Sequence, residues 1–201
     1  MMHLLYLHGF RSAPQSFKAT RLHGWLQAHR PDVHWWCPQL PPSPTAAWQL
    51  IQQGIAAWTK DSMSVVGSSL GGFYATAVAE SVGCRALLLN PAINPMRDLA
   101  QHIGRQSHFH CPQQHFDFHP EYLDQLRPLT VTTITRAERY ALVVAKGDEV
   151  LDWREMTARY QGEQSETMQG AKIKLLEGGD HALSDFEDHL PDILEFLKIS
   201  S

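Results

Sequence analysis

Surplus positive charge is missing from this chain of 201 residues: 17 Lys and Arg stand against 21 Asp and Glu, a formal net charge of −4 and a pI near 6.3. That balance provides no basic footprint, so no nucleic-acid partner is expected. Cysteine is scarce. Cys37, Cys84 and Cys111 are odd in number and widely spaced, which excludes a Cys-x-x-Cys metal knuckle and suits a reduced, cytoplasmic chain. Long apolar runs are also lacking: none approaches the roughly 18 residues that a bilayer span needs. The opening Met1-Met2-His3-Leu4-Leu5-Tyr6-Leu7 has no Lys or Arg ahead of its short apolar stretch, unlike a secretory leader. Charged residues make up only 19% against 43% hydrophobic, too apolar a mixture for a disordered chain. One domain over residues 1–201 with its own core is expected, since no linker divides the chain.

Short apolar runs alternate with helical patterns. His3–Leu7, Val33–Trp36, Ser64–Val66, Arg85–Asn90, Ala141–Ala145 and Ile173–Leu176 read as strands. Their continuous apolar centres, separated by helices, predict an α/β fold with a mostly parallel sheet covered by helices on both faces. Pro14 is a plausible helix start, and Thr45 is expected to cap a helix reaching about Trp58. Ser184-x-x-Glu187 reads as a capping box for a helix over Phe186–Leu197, which Pro191 would kink or split. The stretch Asn94–Thr135 reads as irregular and too long for an ordinary connection, and is expected to be a lid or insertion.

Gly67-Ser68-Ser69-Leu70-Gly71 matches Gly-x-Ser-x-Gly with Ser69 at the centre, directly after a strand and before a helix. The pattern has a mechanical basis: the serine occupies a tight strand-to-helix turn, where the flanking residues must be small for neighbouring backbones to approach. Ser68 fails this test, because Val66 and Leu70 would fill the glycine positions. A phosphate loop is the weaker reading, since no Gly-Lys-Ser/Thr follows.

A serine hydroxyl needs a base to take its proton and a carboxylate to orient that base. In this fold the order along the chain is Ser, acid, His, each following a strand. Asp148 follows the fifth strand and His181 the sixth, past Gly178-Gly179. Asp152 resembles a helix N-cap, with Glu155 three residues on, and Glu149 projects differently from its neighbour, so Asp148 is the expected acid. The oxyanion donors are expected to be the backbone N–H groups of Leu70, next to the nucleophile, and Phe10, in the turn after the first strand. His8 is read as a structural histidine of that turn. This chemistry requires neither cofactor nor metal.

With these residues the chain resembles the α/β-hydrolases, and more narrowly the small bacterial YqiA-like esterases. The blocks that carry the likeness are Leu5-Tyr6-Leu7-His8-Gly9-Phe10, Pro38-Gln39-Leu40-Pro41-Pro42, Val65 to Gly72, Asn90-Pro91-Ala92, Gly147 to Asp152 and Glu177-Gly178-Gly179-Asp180-His181-Ala182. The resemblance implies a compact α/β-hydrolase core and esterase activity on short-chain esters, a small-molecule substrate class. A thioesterase would use the same constellation, and a non-catalytic binding protein the same fold.

Outside that likeness lie His102, His108, His110, Cys111, His115 and His119. Imidazole and thiolate at such spacing suit zinc, but Gly104, Pro112 and Pro120 break any long helix that would fix the ligands. The segment is therefore read as a solvated lid face whose aromatics, Phe109, Phe116 and Phe118, either act as spacers or line an acyl pocket.

Overall fold

The computed structural model describes residues 1–161 and 170–199. Along β1 (His3–Leu7) the side chains part into two cores: Leu5 and Leu7 enter one, Leu4 and Tyr6 the other. Successive side chains of a strand point to opposite faces, so a strand buried on both sides must be apolar throughout. The same division runs through β3 (Met63–Ser68), β4 (Arg85–Leu89) and β7 (Tyr140–Ala145). With β2 (His34–Trp36) and β8 (Lys172–Leu176) they form, among the described residues, one six-stranded parallel sheet in the order β2-β1-β3-β4-β7-β8.

Helices cover both faces. On the Leu5 side lie α2 (Pro44–Ile55), α3 (Leu70–Val82) and α6 (Trp153–Gln161). On the Tyr6 side lie α1 (Phe17–His29), through Ala19, Leu22 and Leu26, and α7 (Leu190–Leu197), through Ile193, Leu194 and Leu197. The chain leaves β1 towards β2 and returns past it to β3, so the order reverses between β1 and β3. At such a switch point the loops beyond the strand ends separate and leave a crevice.

Several local expectations shift. The second helix begins at Pro44, not after Thr45, and Ser43 is its cap, its Oγ accepting the Ala46 N–H at 3.3 Å. A proline fits there because the first helical N–H has no intrahelical acceptor anyway. The first helix starts at Phe17, beyond Pro14. The Ser184–Glu187 capping box does not form: Ser184 donates its hydroxyl to Asp180 Oδ2 at 2.6 Å. A 3-10 turn over Phe186–His189 follows, and Pro191 lies in the first turn of α7.

The stretch 94–135 is more regular than its sequence suggested. It holds α4 (Pro95–Leu99), an antiparallel hairpin of β5 (Gly104–Ser107) and β6 (His115–Phe118), and α5 (Glu121–Leu126). Four-residue strands are too short to display a period. The hairpin is moored to the turn after β1: Phe116 and Phe118 meet the Phe10 ring edge-on at 5.8 and 5.0 Å, and Arg11 Nε donates to Ser107 O at 2.7 Å. Among the described residues no helix is long and apolar enough to cross a membrane.

Candidate active site

β3 runs into α3 through Ser69, whose backbone is held at φ 55°, ψ −123°. That conformation is strained for any residue with a Cβ and persists only where the surroundings over-determine it. Here three bonds hold it: Ser69 N–H donates to Leu89 O at 3.0 Å, and Ser69 O accepts from Gly72 N at 2.8 Å and Ala92 N at 3.0 Å. The two motif glycines permit the turn by close approach. A Cβ on Gly71 would lie 1.9 Å from Leu7 O, and one on Gly67 2.3 Å from Gly71 O. Larger residues would push α3 away from β1 and β3.

The turn projects Ser69 Oγ to 3.0 Å from His181 Nε2, and His181 Nδ1 lies 2.8 Å from Asp148 Oδ2. An ionised carboxylate only accepts, so Nδ1 carries the ring proton and Nε2 is left to accept from the serine hydroxyl. The Asp148 side chain is fully buried. Its Oδ1 accepts the N–H groups of Val150 and Leu151, each at 2.8 Å, which fixes the carboxylate plane towards His181. Asp152 lies apart from this chain of bonds, its Oδ1 accepting Arg154 N–H at 2.9 Å as a helix cap does. Glu149 approaches differently again, accepting the backbone N–H of His181 through Oε2 at 3.0 Å.

The turn after β1 packs against Ser69, with a Cβ on Gly9 placed 3.1 Å from the serine Cβ. His8 shapes that turn. Its Nδ1 donates to Gly9 O at 2.9 Å, while Nε2 accepts from Leu40 N–H at 3.1 Å. A carbonyl cannot donate and an amide N–H cannot accept, so the ring is neutral, with its proton on Nδ1. Burial accordingly pulls its pKa down to about 4. Phe10 N–H, beyond this turn, has no backbone acceptor among the described residues. Leu70 N–H opens α3 and has no acceptor within the helix.

A model of the uncharacterised protein family UPF0227 matches residues 3–198. The chain belongs to that family. Solved structures of α/β-hydrolases share the fold of this chain. A protein from Agrobacterium vitis S4 superposes with TM-score 0.70 at 14% identity, over 97% of this chain and 87% of its own. Mouse alpha/beta hydrolase domain-containing protein 10 gives 0.66 at 12%, over 98% and 90%. Est1E from Butyrivibrio proteoclasticus, solved with ferulic acid bound, gives 0.63 at 13%, over 98% and 90%. At such identities the likeness is one of fold.

Two features of this UPF0227 site were beyond sequence reasoning. Asn90, fully buried at φ 41°, ties the His181 loop to the sheet: its Oδ1 accepts Ala145 N–H at 2.9 Å, and its Nδ2 donates to Asp180 O at 3.0 Å and His181 O at 3.2 Å. The Asn90-Pro91-Ala92 block belongs to the family likeness, but nothing local in it gives Asn90 this role. Asn90→Ala is expected to leave the buried Ala145 N–H and the part-buried His181 carbonyl unpartnered, each costing about 1–3 kcal/mol, while Asp180 O keeps the Leu183 N–H. Urea unfolding should therefore show a loss of at least about 2 kcal/mol, and unchanged stability would refute this anchoring role.

The second is the use of the 94–135 aromatics. Phe116 and Phe118 are spent on packing against Phe10, whereas Phe109 faces the site. Of the histidines, His102 packs on Phe10, His108 on Phe116 and His119 on Tyr122. Among the described residues no three or more His, Cys, Asp or Glu side chains gather so as to hold a metal ion.

Proposed function

We propose that the protein is a serine hydrolase that cleaves short-chain carboxylic esters through an acyl-enzyme on Ser69. The observation that carries this reading is the unbroken chain Ser69 Oγ–His181–Asp148, at 3.0 and 2.8 Å, ending on a strained strand-to-helix turn. In the first half-reaction Ser69 Oγ attacks the ester carbonyl carbon as its proton passes to His181 Nε2. Asp148 stabilises the imidazolium and keeps it oriented. The oxygen of the tetrahedral intermediate takes the negative charge facing the N–H groups of Phe10 and Leu70. Collapse breaks the bond to the alcohol oxygen, which leaves with the proton from His181. A water molecule then repeats the sequence on the acyl-enzyme, releasing the acid and restoring the serine.

A cavity of about 510 Å³ opens on Ser69 and His181, within the range of small-molecule sites. Phe10, Phe17 and Phe109 supply its apolar rim. Phe116 and Phe118 pack on Phe10 and do not line this cavity, which favours short acyl groups. A fluorophosphonate probe is expected to label the protein stoichiometrically at Ser69, and Ser69→Ala to take no label. A folded wild-type protein that the probe leaves unmodified would defeat the proposal.

A further inference from the structure

The cavity beside Ser69 has an inner wall that the ester chemistry does not use. α1, thirteen residues long, starts there, and its cap residue Ser16 makes no side-chain capping bond. Ser16 Oγ is buried without a partner among the described residues, as is the hydroxyl of Tyr6, a residue with 0% exposure. The phenol lies near the Ser16 and Ser68 hydroxyls but makes no hydrogen bond of normal geometry to either. Burial pushes the phenol pKa upward, so it stays protonated and able to donate. Lys18, in the first turn of α1, lines the same space. Its ammonium donates to Ala182 O and has no ion-pair partner within 4 Å among the described residues.

We propose that this wall binds an oxyanion carried by the substrate, a carboxylate or a phosphate, so that the esters this protein hydrolyses are negatively charged at the end away from the scissile bond. The proposal deepens the hydrolase reading and, for its substrate side, rests on it. Four features line the same cavity. The N-terminus of a helix presents unpaired N–H groups and the positive end of its dipole. Two hydroxyls, of Tyr6 and Ser16, are buried with donors unspent, a state that native interiors avoid unless a ligand or water completes them. A half-withdrawn ammonium contributes the charge. Burial lowers Lys18 to about 8, with Asp180 and Asp148 partly opposing the shift; an anion in the cavity would restore the balance. Those two carboxylates are committed elsewhere, Asp180 to Ser184 and Asp148 to His181.

Binding and turnover test this separately. Calorimetric titration of the Ser69→Ala protein with glutarate and, in a second arm, inorganic phosphate is expected to detect binding of at least one, which identifies the anion. Lys18→Gln should weaken that affinity roughly tenfold or more, and Tyr6→Phe should weaken it measurably, since both remove donors to a charged group. Tyr6→Phe keeps the test decisive if Lys18→Gln fails to fold. No binding of either anion, or affinities unmoved by both substitutions, would overturn the site.

In the active protein, monomethyl glutarate is compared with dimethyl glutarate, and acetoxyacetate with its methyl ester. At least one charged ester is expected to exceed its masked counterpart by roughly tenfold in kcat/KM, mainly through KM. Equal rates within both pairs would reject the substrate assignment while leaving a hydrolase. Anion binding without turnover of any ester would retain the site and reject the hydrolase reading.

Discussion

Ser69→Ala is expected to abolish ester hydrolysis, with a fall in kcat of about a millionfold, the scale on which a serine nucleophile is lost from subtilisin. Ser68→Ala should keep a readily measured rate. The two serines are adjacent and chemically identical, so the contrast isolates position. Ser69 Oγ is 3.0 Å from His181 Nε2, and its strained backbone aims it off the end of the sheet. Ser68 is the last residue of β3, paired in register with Leu89, and buried. Neither change removes a backbone bond at the turn, because the three bonds that hold Ser69 are made by main-chain atoms. Steady-state rates on a short-chain ester decide the matter: comparable activity in wild type and Ser69→Ala would sink the enzyme reading.

Asp148→Asn should lower kcat by about 10⁴ while leaving the protein folded. An Asn oxygen can still accept from the N–H groups of Val150 and Leu151, as Asp148 Oδ1 does at 2.8 Å. The amide nitrogen then faces His181 Nδ1. Two donors cannot share that contact, so the ring proton moves to Nε2 and meets the serine hydroxyl in place of a lone pair. Asp152→Ala supplies the contrast. It removes the acceptor of Arg154 N–H and should cost roughly 0.5–2 kcal/mol of stability with little change in rate. Measured side by side, kcat and Tm separate orientation of the base from capping of a helix. A well-folded Asp152→Ala that has lost its rate, beside an active Asp148→Asn, would exchange the two assignments.

Ser69 could be singled out from the sequence because what its turn requires lies within a few residues: a buried strand, a glycine on each side at two-residue spacing, and a helix. Asp148 and His181 were legible for a different reason. In a parallel sheet the carboxyl ends of all strands share one edge, so residues just past β7 and β8 reach the same rim although 33 positions separate them. The two-faced burial of β1, β3, β4 and β7 was likewise visible as continuous apolar runs. The short hairpin of β5 and β6 left no such mark, and neither did the exact starts of α1 and α2, which turn on whether one cap bond forms.

The sequence therefore determined those features whose causes are local or repeat along the chain: the strand-to-helix turn, the places of Asp148 and His181 just past two strands, and the lack of a long apolar run. Tertiary structure alone decided the rest. It set Asn90 to hold the His181 loop across 91 residues of sequence, His8 to carry its proton on Nδ1, and Phe116 and Phe118 to pack while Phe109 faces the cavity. It also put Tyr6 and Ser16, whose hydroxyls have no partner among the described residues, in one cavity wall with Lys18. Each of these depends on which distant atoms meet in a water-poor interior, where a polar group must find a partner, and no spacing along the chain encodes that meeting.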